Sequence, residues 1–314
     1  MSLVPVLSLL LLVILVNGWT DAPNAIATPV CAGVLSFPAA AALAAVCNLL
    51  GVVTTAAVND SVARTLYSLA DFGEDALTAL TAALGATALW GVLAWRFGLP
   101  TSESHALLAG LLGSALALDA GRLRWGPLVQ VALGLALSLL LGWTLGRLLR
   151  LVLPPEGKRL YTFGQVAGSA LTAFFHGAQD GQKFLGVLAL VLTLGRDYAV
   201  PPWAGWSIAG VMALGTLLGG RRIVETVGRR MVQLDLRSGF AADLGCAVTL
   251  TLCTLLGLPV STTHAKGAAI LGAGSSPDGK VASSLGAAWL LTFPGCGFLA
   301  WLLVKIMTLT LSHP

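Results

Sequence analysis

Two polar motifs occur twice in this chain, and the copies are separated each time by 159 residues. The stretch Phe174 to Gly186, FFHGAQDGQKFLG, maps at that offset onto the region around Val16 to Thr28, VNGWTDAPNAIAT, so that Asp21 answers Asp180 and Asn24 answers Lys183. The same offset carries GLPTSESHA, residues 98–106, onto GLPVSTTHA, residues 257–265, and Gly113 onto Gly272. Two unrelated motifs sharing one offset without a gap mark a duplicated unit. We divide the chain on that basis into a first repeat, 1–155, and a second, 156–314.

The motifs interrupt a chain that is otherwise grease. Charged residues are 10% of the sequence, against about 25% in soluble proteins. Hydrophobic residues are 56% and the mean hydropathy is +0.86. This is the composition of an all-α polytopic membrane protein. In hydrocarbon an ionisable group costs about 2.5–3.5 kcal/mol on insertion scales, so His176, Asp180 and Lys183 mark a site by default. The net charge of +4 is too small, and sits too plainly in loops, to suggest a nucleic-acid partner. Cys31, Cys47, Cys246, Cys253 and Cys296 form no CxxC pair and read as packing residues. The first apolar run has no basic residue before it, so it is not read as a cleaved signal peptide.

Each repeat yields about five hydrophobic segments. The first gives about 3–28, broken by its polar patch, then 32–57, 76–97, a short 106–118 and 127–153. The second gives about 162–194, again with a polar break, then 203–219, 240–258, a short 265–274 and 285–311. An odd number per unit places the copies in opposite orientations. Loop charge agrees. Residues 59–75 hold one Arg and four acids, whereas 221–237 hold Arg221, Arg222, Arg229, Arg230 and Arg237, which sets the second loop on the cytoplasmic side. Arg122 and Arg124 fall on the wrong side under this count, and the short 106–118 run is a candidate re-entrant segment.

Gly18, Pro23, Gly177 and Gly181 flank the acids and are expected to loosen both broken helices, freeing carbonyls as cation ligands. Lys183 either balances Asp180 or faces an anion; His176 either relays protons or fixes the break. The PTSESH and PVSTTH motifs read as helix starts. Thr101, Ser102 and Ser104 from one, and Ser261, Thr262 and Thr263 from the other, would point hydroxyls and the positive end of a helix dipole at one anion. Ordinary N-capping explains either motif alone, but not the repeat or the His that follows each, His105 and His264. Glu103 takes the slot of Thr262, and should be protonated, paired to a cation or turned away. No metal site and no cofactor are expected, and no Walker loop, HExxH or GxSxG motif supports an enzyme.

At these motifs the chain resembles the inorganic phosphate transporter (PiT) family. VNGWTDAPNAIAT and HGAQDGQKFLG resemble its paired signatures, PTSESH and PVSTTH its Ser/Thr–His pair, and Trp289, Thr292 and Pro294 its tail. The resemblance covers almost the whole chain. It implies a secondary active transporter, an inverted-repeat symporter of inorganic phosphate with H+ or Na+, in the inner (cytoplasmic) membrane as a multi-pass homodimer. It places Ser102, Ser104, His105, Ser261, Thr262, Thr263, His264, Asp21, Asp180, Gln182 and Lys183 around phosphate. Asn17, Asp21, Asn24, Gln179 and Asp180 are the expected coupling-cation residues, with Glu103 a proton carrier beside them. Thr20 and Gln179 stand where the family more often has Asn, which leaves H+ and Na+ both open. A carrier of a related oxyanion such as sulfate is the alternative reading.

Overall fold

The computed structural model describes residues 2–97, 101–119, 122–275 and 279–312. Gly98, Leu99 and Pro100 of the first helix-start motif therefore lie outside the described residues. The first repeat contains α1 (Leu3–Thr20), a 3-10 turn (Ala22–Ile26), α2 (Ala27–Cys31), α3 (Phe37–Val58), α4 (Ser61–Tyr67), a 3-10 turn (Gly73–Asp75), α5 (Ala76–Arg96), α6 (Glu103–Leu118) and α7 (Trp125–Val152). The second contains α8 (Lys158–Thr193), α9 (Ala204–Leu218), α10 (Arg221–Glu225), a π turn (Thr226–Arg230), α11 (Leu236–Leu255), α12 (Thr262–Ala273) and α13 (Gly279–Ser312).

Among the described residues six helical stretches are long and apolar enough to cross a membrane, and α9 joined to the segment after it makes a seventh, bent by 64°. Helix α8 has 36 residues, about 54 Å at 1.5 Å per residue, and is long enough as well despite its polar centre. By contrast α6, with 16 residues, and α12, with 12, reach only about 24 and 18 Å. They are the short runs seen in the sequence.

The repeats are interlocked rather than side by side. Helix α1 of the first packs on α9 of the second, and α8 packs on α3; likewise α6 lies against α13 and α12 against α7. The exchange is close because small residues sit at the crossings. A Cβ on Gly18 would come within 2.2 Å of the Met212 carbonyl oxygen, and one on its repeat mate Gly177 within 2.1 Å of the Asn48 carbonyl oxygen.

That contact corrects one expectation. The second copy of the broken segment is not broken: α8 runs helical from Lys158 to Thr193 through His176, Gly177, Asp180 and Gly181. Its glycines serve backbone approach to α3, with Gly181 facing Val52. Only the first copy carries Pro23, which cannot donate a helical N–H, and there the chain tightens into the 3-10 turn Ala22–Ile26.

Arg122 and Arg124 find their explanation in the loop they contact. Arg122 donates to the Phe72 carbonyl at 2.5 Å and to Asp75 at 3.0 Å, and Arg124 lies 3.8 Å from Asp71. Their charges are set against the acidic 59–75 loop. None of the five cysteines forms a disulfide.

Candidate functional site

The short helices α6 and α12 start at the centre of the protein and meet head to head. Ser102 caps α6 by accepting from the His105 amide at 3.2 Å, and Ser261 caps α12 by accepting from the His264 amide at 3.2 Å. The Ser261 hydroxyl donates to the Ser102 hydroxyl at 2.7 Å, and the His105 and His264 rings lie 4.0 Å apart, edge to face. Both contacts join residue i to residue i+159. A pseudo-two-fold axis thus passes between the caps, and helices that diverge from facing N-termini run in opposite directions. This is the inverted repeat in atomic detail.

The acids flank this axis. Asp180 accepts from Lys183 Nζ at 2.6 Å and Ser104 Oγ at 3.2 Å on one oxygen, and from Asn17 Nδ2 at 2.8 Å on the other. His176 Nε2 approaches that second oxygen to 3.4 Å. Lys183 also donates to Ser104 at 2.6 Å and to the Val260 carbonyl at 2.5 Å. Across the axis Asp21 accepts from Asn24 Nδ2 at 3.0 Å and from the Thr263 hydroxyl, and Asn24 donates to Thr263 at 3.1 Å. The two halves match: Lys183, Asp180 and Ser104 in one are Asn24, Asp21 and Thr263 in the other, each pair 159 residues apart. An ammonium fills one half and a neutral amide the other.

From Thr101 to His105 and from Ser261 to His264, no side chain is more than 8% exposed. Yet Thr262 Oγ1, Asp21 Oδ2, Asn17 Oδ1, Asn24 Oδ1 and both ring nitrogens of His105 and His264 have no hydrogen-bond partner. Buried polar atoms left unpaired by the protein in such number are available to water or to a polar ligand. The first-turn amides of both short helices add donors, since a helix leaves its first N–H groups without internal partners. Hydroxyls and positive helix ends suit an anion. Asp21, His176 and Asp180 each offer one ligand atom within 4.8 Å of the others, a spacing that could hold a cation.

Three expected site residues stand apart from this cluster. Gln179 braces the loop before α12, donating to Thr254 at 2.9 Å and the Leu258 carbonyl at 3.2 Å and accepting from the Val260 amide at 3.3 Å. Gln182 accepts from the Val62 amide in the first turn of α4 at 3.1 Å. The helical period explains both: His176 and Lys183 are one turn from Asp180 and share its face, while positions 179 and 182 point elsewhere. Glu103 faces α1 and α5, with Thr20 its hydrogen-bond partner at 3.4 Å.

Sequence reasoning missed a second buried ion pair. Lys266 on α12 pairs with Asp243 on α11, and donates to Thr28 at 3.2 Å and the Ala25 carbonyl at 3.4 Å. Both charged residues are at most 1% exposed. Ionisable residues inside apolar runs were the signal. Asn48, which meets His176 Nδ1 at 2.9 Å, and Trp289, whose ring lies 4.2 Å from that of His264, complete the surround.

Inverted repeats, facing short helices and a buried polar centre define a membrane transporter of the inverted-repeat class. Comparison with known proteins narrows this. The phosphate transporter family profile matches residues 17–154 and 150–300. A protein of Rhizobium meliloti named "Probable low-affinity inorganic phosphate transporter" is 34% identical over 303 residues, covering 90% of each chain. One of the same name from Bacillus subtilis is 30% identical, covering 89% of each. A solved structure described as "The sodium-dependent phosphate transporter" superimposes with a TM-score of 0.87 over 98% of this chain and 99% of the other, at 20% identity. The chain belongs to the phosphate transporter family.

Proposed function

We propose that this protein is a secondary carrier that moves inorganic phosphate across the cytoplasmic membrane in symport with a cation, H+ or Na+. The observation that carries the reading is the head-to-head meeting of the α6 and α12 N-termini at Ser102 and Ser261. Phosphate would sit against these two positive helix ends, held by first-turn amides and by Ser104, Thr262 and Thr263 hydroxyls, with Lys183 supplying full positive charge. His105 and His264 offer ring nitrogens beneath it. Asp21 keeps one oxygen unpaired. That acceptor favours a ligand that can donate a hydrogen bond, as protonated phosphate can and sulfate cannot. Asp21 and Asp180, with Asn17 and Asn24 on their oxygens, compensate the cation that travels with the anion. Assembly as a homodimer belongs to the same proposal, and cross-linking in native membranes tests it.

Proteoliposomes loaded with the purified carrier, given radiolabelled phosphate and separately imposed proton and sodium gradients, test the reading. Saturable, gradient-dependent uptake that excess sulfate does not block is the expected result. Absence of uptake under either gradient overturns it, and equal block by sulfate replaces it with a general oxyanion carrier. In the same assay Thr262→Ala, which removes a hydroxyl with no protein partner, should raise the phosphate KM by about 10- to 150-fold, the loss of one hydrogen bond to a charged ligand at about 1.5–3 kcal/mol.

A further inference from the structure

Glu103 opens α6 at the position that Thr262 holds in α12, so it is the point where the two half-sites differ in acid. Its side chain is 2% exposed. No ion pair involves it among the described residues. Its Oε2 has no hydrogen-bond partner, and its Oε1 meets Thr20 Oγ1 at 3.4 Å. Thr20 has one hydroxyl hydrogen, and the Val16 carbonyl takes it at 2.8 Å. That one hydrogen, already directed at the Val16 carbonyl, is at most shared with Glu103 Oε1, so the buried carboxyl has no full hydrogen-bond donor of its own to support an ionised form. Space is made for that carboxyl on α5, where a Cβ on Gly91 would fall 2.1 Å from Oε1.

The charged and titratable groups around it supply no counter-charge. The end of α1 contributes Asp21. Helix α8 contributes His176, Asp180 and Lys183, whose ammonium is committed to Asp180, Ser104 and the Val260 carbonyl. Helix α13 contributes Cys296, which donates to the Ala106 carbonyl, and α6 and α12 contribute His105 and His264. Helix α5 offers Arg96 only at its far, exposed end.

We propose that Glu103 is the proton-binding residue of this carrier and that it loads its proton together with the anion. The inference rests on the phosphate reading above and names its coupling ion. An ionised Glu103 at the first position of α6 would hold negative charge at the same helix end that receives phosphate. Anion and carboxylate then compete for one positive terminus. A proton taken onto Glu103 from the entry side removes the repulsion, so each ligand raises the affinity for the other, and linkage makes that effect reciprocal. On the exit side phosphate leaves and the proton follows it. The equivalent slot in α12 is the hydroxyl of Thr262, which binds anion without such competition.

Glu103→Gln fixes the neutral state while keeping shape. Two assays separate its effects in proteoliposomes: exchange of radiolabelled for unlabelled phosphate at equal pH on both sides, and accumulation driven by an alkaline interior. Wild-type carrier should accumulate phosphate, and its exchange KM should fall as pH drops from about 8 to about 6, by up to about tenfold per unit for one linked proton. The variant should exchange phosphate but accumulate none, with a KM that follows only the titration of phosphate itself. Proton-driven accumulation by E103Q, or a KM profile matching wild type, overturns the proposal. So does wild-type accumulation that needs a sodium gradient and ignores a proton gradient, although phosphate transport itself would stand. Failure of wild-type exchange would instead sink the phosphate reading. If E103Q does not fold, Glu103→Thr, the residue type of the second repeat, enters the same assays with the same expected loss of accumulation.

Discussion

Lys183 is among the largest fully buried side chains of the protein, and its single acid is Asp180. Removing one partner of a buried pair leaves an uncompensated charge, which costs about 3–5 kcal/mol, whereas removing both can be nearly neutral. Asp180→Asn should therefore abolish uptake and lower the thermal midpoint in detergent. Adding Lys183→Gln should restore the midpoint without restoring uptake. Recovery of transport in the double variant would show that the pair only staples α8 to the Val260 loop. Asp21, Asn24, Asp180 and Lys183 were legible in the sequence because polar residues in apolar runs were echoed at one offset. Asp243 and Lys266 obey the same burial logic but have no echo: their repeat mates are Leu84 and Leu107, both buried and apolar. Which acid meets which base across two helices is set by packing, and no periodicity encodes it.

At the scale of helices, glycine was the ambiguous letter. Gly177 and Gly181 were expected to loosen the helix, but a glycine equally lets another backbone approach, and only the partner decides. The partner is α3, and the helix stays whole. Gly177→Ala would drive a methyl toward the Asn48 carbonyl oxygen, a contact of 2.1 Å, and should destabilise the carrier by about 1–3 kcal/mol as α3 and α8 separate. Gly210 in α9 is the control, since a Cβ there meets nothing within 4 Å. Gly210→Ala should leave the fold intact and stabilise it by up to about 1 kcal/mol through helix propensity. Thermal unfolding of the two variants in one detergent checks both signs. Equal effects would mean that the α3–α8 crossing is not held by close approach. The short helices, by contrast, were readable to within three residues at either end, because Ser102 and Ser261 are hydroxyl caps just ahead of a run of small and apolar residues, a local signal that tertiary context did not override.

For the whole molecule, duplication in inverted orientation was legible from offset and loop charge, while the interlocking of the halves was not, since it depends on which apolar faces meet. The inverted orientation also fixes sidedness. Helices α6 and α12 diverge from the Ser102–Ser261 contact toward opposite faces. The loop after α6 joins the acidic 59–75 segment through Arg122, and the loop after α12 joins the basic 221–237 segment through the pairing of Gln233 with Ser275. Acidic and basic loops must then lie on opposite sides of the bilayer, with the basic one cytoplasmic. Glu74 and Arg221 are both exposed and report on the two loops. In a background with the half-buried Cys31 and Cys47 changed to alanine, Glu74→Cys should react with a membrane-impermeant maleimide in right-side-out vesicles. Arg221→Cys should react only in inverted vesicles or after permeabilisation. Reaction of both from one side would break the pseudo-two-fold relation. The two helix ends could then not serve as mirror-image halves of one site reached alternately from either face.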